Sequence, residues 1–159
     1  MALARQSTFD LLPRTRPGYG SPRSAPYKTE RKFLDFVVDR MSLYDTIAGE
    51  QDLASALWID PPVPNEIVKS IRRLLLLDPG DLPSGRVSLY TCAECGDLGC
   101  GGLTVNILRR DEDIVWCDFG YENNYQKGPY LEPFRSLGPF HFARRSYEAR
   151  LIPLLSQYS

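Results

Sequence analysis

The sequence has a single histidine, His141, and no serine or cysteine framed as a nucleophile elbow. It has no G-x-x-x-x-G-K-[ST] and no G-x-G-x-x-G, so nucleotide binding leaves no fingerprint. Asp118-Phe119-Gly120 repeats a kinase tripeptide, but its companion motifs are missing and the chain is too short for that fold. Long apolar runs are missing as well. The leucine run Leu74–Leu77 is far short of the ~20 residues that a helix needs to span a bilayer. No apolar segment of signal-peptide type follows Met1, so a cytoplasmic protein is expected and disulfides are disfavoured.

What is present is ordinary for a globular domain. The chain has 159 residues, of which 43% are hydrophobic and 25% charged, and this excludes a wholly disordered protein. A chain of this length buries roughly two-thirds of its unfolded surface, so no metal is needed merely to fold. The formal net charge is −1, but it is unevenly spread. Residues 1–32 carry seven basic against two acidic groups, net +5, and residues 33–159 carry twelve against eighteen, net −6. The first segment also concentrates Pro13, Pro17, Pro22 and Pro26 among glycines and serines, a composition poorly suited to helices or ladders. The expected organisation is therefore a disordered or loosely docked, flexible arm at 1–26 and a single domain at 27–159. The arm's charge admits two readings: a nucleic-acid tail, or a leader that returns to its own acidic body. The second is the simpler.

Along the body, Lys32–Val38 reads as a strand ending in a turn at Asp39-Arg40. Ser42 is placed to cap a short helix over Leu43–Ala48, and a second helical piece is expected over Asp52–Trp58. After the prolines at 61, 62 and 64, Ile67, Ile71, Leu74 and Leu75 fall on one helical stripe. Arg86–Thr91, Leu103–Leu108 and Ile114–Phe119 alternate as strands, with Asp111-Glu112-Asp113 as a turn. A loop is expected over Asn123–Gly138, then a helix over Arg144–Leu155 that Pro153 should kink or shorten. The expected fold is α+β: an antiparallel three- to four-stranded meander flanked by helices.

All four cysteines lie between 92 and 117. Cys92-Ala-Glu-Cys95-Gly96 has the form of a metal knuckle. Two thiolates so spaced reach one ion at ~2.3 Å, and the glycine lets the backbone turn beneath them. Cys100, in a glycine-rich turn, supplies a third ligand. Cys117 is the expected fourth, folded back by the meander, with His141 a weaker candidate. The expected ion is zinc. A redox dithiol is disfavoured because a glycine turn, not a helix N-terminus, follows the pair. Unliganded thiols in a tight turn remain the plain alternative.

Past the third strand, aromatic rings alternate with carboxylates and amides. Asp97, Trp116, Asp118, Tyr121 and Glu122 are the expected partner-binding residues, facing a protein with a basic surface. The simpler reading has Trp116 and Phe119 in the core and Asn123-Asn124 as turn residues.

Three blocks carry a resemblance. Leu89-Tyr-Thr-Cys-Ala-Glu-Cys-Gly-Asp-Leu-Gly-Cys-Gly is followed by Val115-Trp-Cys-Asp-Phe-Gly-Tyr-Glu-Asn, then by Pro139-Phe-His-Phe with Tyr147-Glu. Over roughly residues 86–152 the chain resembles a set of small bacterial proteins, some carrying the automatic name oxidoreductase. They share a C-x-E-C-G-D-x-x-C-G turn and a W-x-D-F-G-Y-E-N segment. In that set the position of Cys117 is not usually cysteine, which implies that Cys117 is the weakest ligand of the four. The resemblance implies no established activity. The function expected is a non-catalytic protein-binding domain with a zinc-stabilised cysteine turn, of regulatory or immunity type by analogy of class. The alternatives are a thiol-redox or zinc-dependent enzyme using Cys92 and Cys95, and nucleic-acid binding through the arm.

Overall fold

The structure, a computed structural model, describes residues 5–159. Strands run at Gln6–Ser7 (β1), Phe9–Arg16 (β2), Tyr19–Ser21 (β3), Ser24–Lys28 (β4), Arg31–Val38 (β5), Met41–Ser42 (β6), Leu53–Ser55 (β7), Trp58–Asp60 (β8), Val87–Cys92 (β9), Gly102–Arg110 (β10), Asp113–Glu122 (β11) and Phe140–Ala143 (β12). The two longer helices are Pro64–Leu74 (α1) and Arg144–Tyr158 (α2). The larger sheet has the order β1-β12-β11-β10-β9-β7, antiparallel except where β1 lies parallel to β12. The smaller sheet joins β2, β5 and β6, with β8 also paired to β5, and β3–β4 form a separate hairpin. The α+β class holds. The expected meander is the β9–β12 part of a six-stranded sheet, extended by two strands too short to show alternation.

The two sheets and α2 meet at Trp116, which is fully buried. Phe9 from β2, Phe36 from β5, Phe142 from β12 and Tyr147 from α2 surround its ring at centroid distances of 5.5, 5.6, 5.5 and 6.2 Å. Trp116 Nε1 donates to Tyr147 Oη at 3.2 Å, and that hydroxyl donates onward to the Leu74 carbonyl at 2.6 Å. One chain of hydrogen bonds thus ties β11, α2 and the end of α1. On α1, Pro64 opens the first turn, where its missing N–H costs nothing, and Ile67, Ile71 and Leu74 form the buried stripe.

Several expectations are corrected. Among the described residues, the arm is folded rather than disordered or loosely docked: β2 pairs with β5 along its whole length, Phe9 opposite Val38 to Arg16 opposite Arg31. Pro13 is tolerated because β2 is an edge strand with one side unpaired. Asp52–Trp58 is not helical. A single 3₁₀ turn, Gly49–Gln51, ends at Asp52 in the left-handed region, and the chain continues extended through β7 into β8. The short helical turn before it, Tyr44–Ala48, forms with Leu43 rather than Ser42 at its N-cap, while Ser42 Oγ accepts the Asp45 N–H at 3.1 Å. Pro153 does not stop α2. It sits on the solvent face, where the Ala149 carbonyl it leaves unpaired can meet water. No helix of the described residues is long and apolar enough to cross a membrane.

The basic N-terminal segment pairs with the body. Arg5 lies 3.7 Å from Asp39, Lys28 3.0 Å from Asp52 and Lys32 3.8 Å from Asp60, while Arg14 grips Asp45. These pairings follow the charge-return reading.

Candidate metal centre

The metal-knuckle residues occupy the connection from β9 to β10. Cys92 closes β9, and its carbonyl accepts the Gly96 N–H at 2.8 Å. That reversal needs Gly96 at φ +70°, where glycine carries no Cβ penalty. Asp97 Oδ1 then accepts the Gly99 N–H at 2.8 Å and starts the 3₁₀ turn Leu98–Cys100. Gly101 at φ +88° delivers the chain into β10. A Cβ there would stand 1.9 Å from the Tyr121 hydroxyl, which hydrogen-bonds the Cys100 carbonyl at 3.3 Å.

The result is three sulfurs, of Cys92, Cys95 and Cys100, all within 4.8 Å of one another. Cys95 and Cys100 Sγ are 3.7 Å apart. Sulfurs bound tetrahedrally to zinc at ~2.3 Å stand ~3.8 Å apart, so this pair already has the separation that shared coordination requires. Burial pushes the Cys92 thiol up, but N–H groups of Cys95 and Glu94 directed at its sulfur outweigh that and hold it below an ordinary thiol. Cys100 is pushed up to about 11, chiefly by its hydrogen bond with Cys95 and by the charge of Cys92. Three adjacent thiolates repel one another, and a cation between them removes the conflict.

The smaller sheet braces this turn. Arg31 Nε and Nη2 donate to the carbonyls of Ala93 and Glu94, both at 2.8 Å, and its guanidinium lies 4.1 Å over the Trp58 ring. Arg16 is only 2% exposed. It forks onto Asp52 at 2.9 and 2.8 Å and donates to Glu94 at 2.6 Å. Asp52 is held down to about 2, mainly by its hydrogen bonds from Arg16. Burial raises Glu94, but Arg16 and the Thr29 N–H and hydroxyl overcome it and leave the carboxyl lowered.

The other expected site residues lie elsewhere. Cys117 is not part of the sulfur group. It pairs with Asn106 along β11, beyond a bulge at Asp118, and lines a separate cleft with Phe119, Phe134 and Pro139. Burial, with the charge of Asp118, pushes its thiol up. The β11 residue that does reach the turn is Tyr121. His141 sits on β12 with Nδ1 4.0 Å from Asp113. The five expected partner-binding residues do not share one surface. Trp116 is core, and Glu122 is buried against Arg86 Nε at 2.9 Å and the Thr104 hydroxyl at 2.8 Å. Asp118 takes φ +55° in the bulge, and its carbonyl accepts from Arg86. Only Asp97 and Tyr121 flank the cysteine turn.

Sequence reasoning missed a cleft of about 180 Å³ beside Cys95, lined by Ala56, Trp58, Val63, Glu66, Thr91, Cys95 and Gly96. Two of its lining side chains are unsatisfied: Trp58 Nε1 and Thr91 Oγ1 are buried and, among the described residues, have no hydrogen-bond partner. An unpaired buried polar group costs about 1–3 kcal/mol. The cleft draws on three separate segments, and no spacing in the chain signals it. Against family models, curated proteins and solved structures, the chain finds no match in any of the three.

Proposed function

We propose that the protein is a zinc-thiolate domain in which Cys92, Cys95 and Cys100 hold one zinc ion and the ion fixes the β9–β10 turn. The observation that carries this reading is the convergence of the three sulfurs, with the Cys95–Cys100 separation of 3.7 Å. Thiolates are soft ligands that suit zinc. Among the described residues no fourth histidine, cysteine or carboxylate joins the group, so the fourth ligand comes from outside the trio. This keeps the zinc-stabilised turn expected from the sequence and replaces its ligand set of four cysteines by three.

The test is metal content by mass spectrometry after purification without a metal-chelating column. One zinc per chain is expected, lost in Cys92→Ser, Cys95→Ser and Cys100→Ser and kept in Cys117→Ser. Metal-free protein with four freely titrating thiols overturns the reading. A thiol-redox reading draws on the same 3.7 Å, since Cys95 and Cys100 need only close to ~2.05 Å to form a disulfide. Rapid peroxide-driven formation of that disulfide in protein that never carries zinc is its distinguishing result.

A further inference from the structure

We propose that the zinc turn is a peroxide-sensitive switch, in which Cys95 and Cys100, and not the C-x-x-C pair of Cys92 and Cys95, form a disulfide that expels the ion. This rests on the zinc reading above and names how that site is regulated. Cys95 and Cys100 are both exposed, with their sulfurs 3.7 Å apart, while Cys92 is half-buried. Oxidation by a peroxide selects thiolates that solvent can reach. A disulfide needs ~2.05 Å between its sulfurs, so the exposed pair has a short distance to close.

The backbone divides the three cysteines in the same way. Cys92 stands in the ladder opposite Leu53. The two residues after it are held by the smaller sheet and its flank: Arg31 donates to the Ala93 and Glu94 carbonyls, and the Thr29 N–H donates to the Glu94 carboxylate, all at 2.8 Å. The segment 95–100 carries Gly96 and Gly99. Among the described residues it has one side-chain bond from outside the turn, Tyr121 to the Cys100 carbonyl at 3.3 Å. Movement that joins two sulfurs therefore falls on Cys95 and Cys100 and leaves Cys92 in place. One thiolate of the pair attacks a peroxide oxygen. The O–O bond breaks, that sulfur becomes a sulfenic acid, and the other oxygen leaves as hydroxide. The second thiolate attacks the sulfenic sulfur, the S–S bond forms, and a second hydroxide leaves. Two protons from solvent convert both hydroxides to water. The two sulfurs lose two electrons and the peroxide gains them. Cys92 alone does not hold the zinc, which leaves as the hydrated dication.

The test uses the full chain loaded with zinc and treated with hydrogen peroxide. Released zinc is read with a chromogenic chelator, and the pairing of the cysteines by alkylation and peptide mapping without reduction. The expected result is one zinc released per disulfide formed, with Cys95 joined to Cys100 and with Cys92 and Cys117 still open to alkylation. A thiol reductant and added zinc should restore the metal content. Cys117→Ser should respond as the wild type does. Zinc retained while peroxide oxidises only Cys117 overturns the inference and leaves the zinc reading standing. Zinc lost with Cys92 in the disulfide, or with sulfinic acids and no disulfide, also overturns it. A chain that binds no zinc before peroxide is added defeats both.

Discussion

Arg16 is the residue on which the N-terminal sheet and the cysteine turn meet. Its side chain is 2% exposed, and its charge is balanced by Asp52 and Glu94. Arg16→Met removes the charge but keeps the apolar stem. It should cost about 2 kcal/mol in urea unfolding, less than for a fully buried pair because Asp52 and Glu94 can rehydrate. It should also weaken zinc, because Glu94 loses its anchor. Asp52 adds a pH dependence. Its carboxyl is lowered from 3.8 to about 2 in the folded protein, so its contribution is complete above pH ~4 and fades as the pH falls toward 2. The side chain is 40% exposed, so solvent screening limits that contribution to about 1 kcal/mol. Thermal unfolding followed from pH 5 to pH 2 should show this loss, and Asp52→Asn should remove that part of it. At this scale the site was half legible. C-x-x-C-G and the nearby Cys100 announce three converging sulfurs, because spacing within one turn nearly fixes how sulfurs meet. Cys117 was misplaced because its position depends on the bulge at Asp118, which leaves no mark in the alternation of β11.

Among the elements, β2 departs most from expectation. Its Pro13 argues against a ladder, yet Phe9 is buried between Phe142 at 5.3 Å and Tyr147 at 4.7 Å. Phe9→Ala should therefore cost about 3–5 kcal/mol by chemical denaturation, as for any large core deletion. An arm outside the fold would leave stability unchanged. The β9–β10 turn makes a second demand. Gly101→Ala forces a side chain into a positive φ and against Tyr121, so a loss of about 2 kcal/mol and weaker zinc retention under chelator are expected. The central strands were legible because β-branched and aromatic residues alternate over a half-buried sheet. Asp52–Trp58 was not. Leu53, Ala54, Leu57 and Trp58 suit helical spacing equally well, and only pairing of β7 with β9 and of β8 with β5 decides between the two.

At the scale of the whole molecule, the uneven charge of the sequence becomes a joint. The net +5 segment does not reach outward. Its Arg31 holds carbonyls of the cysteine turn, its Arg16 holds the Glu94 carboxylate, and its Phe9 shares the core around Trp116. The class, α+β, followed from the pattern of elements. The joining of two sheets did not, because it rests on contacts between residues far apart in the chain, such as Arg16 with Glu94 and Arg31 with Ala93. The account makes this joint the support of a zinc ion held by three thiolates, and X-ray absorption at the zinc edge of the full-length protein tests that most directly. It predicts a shell of three sulfurs at ~2.3 Å with one further ligand, and no zinc signal in Cys95→Ser, which loses the ion. A first shell of nitrogen and oxygen alone, or protein that retains no zinc, contradicts it.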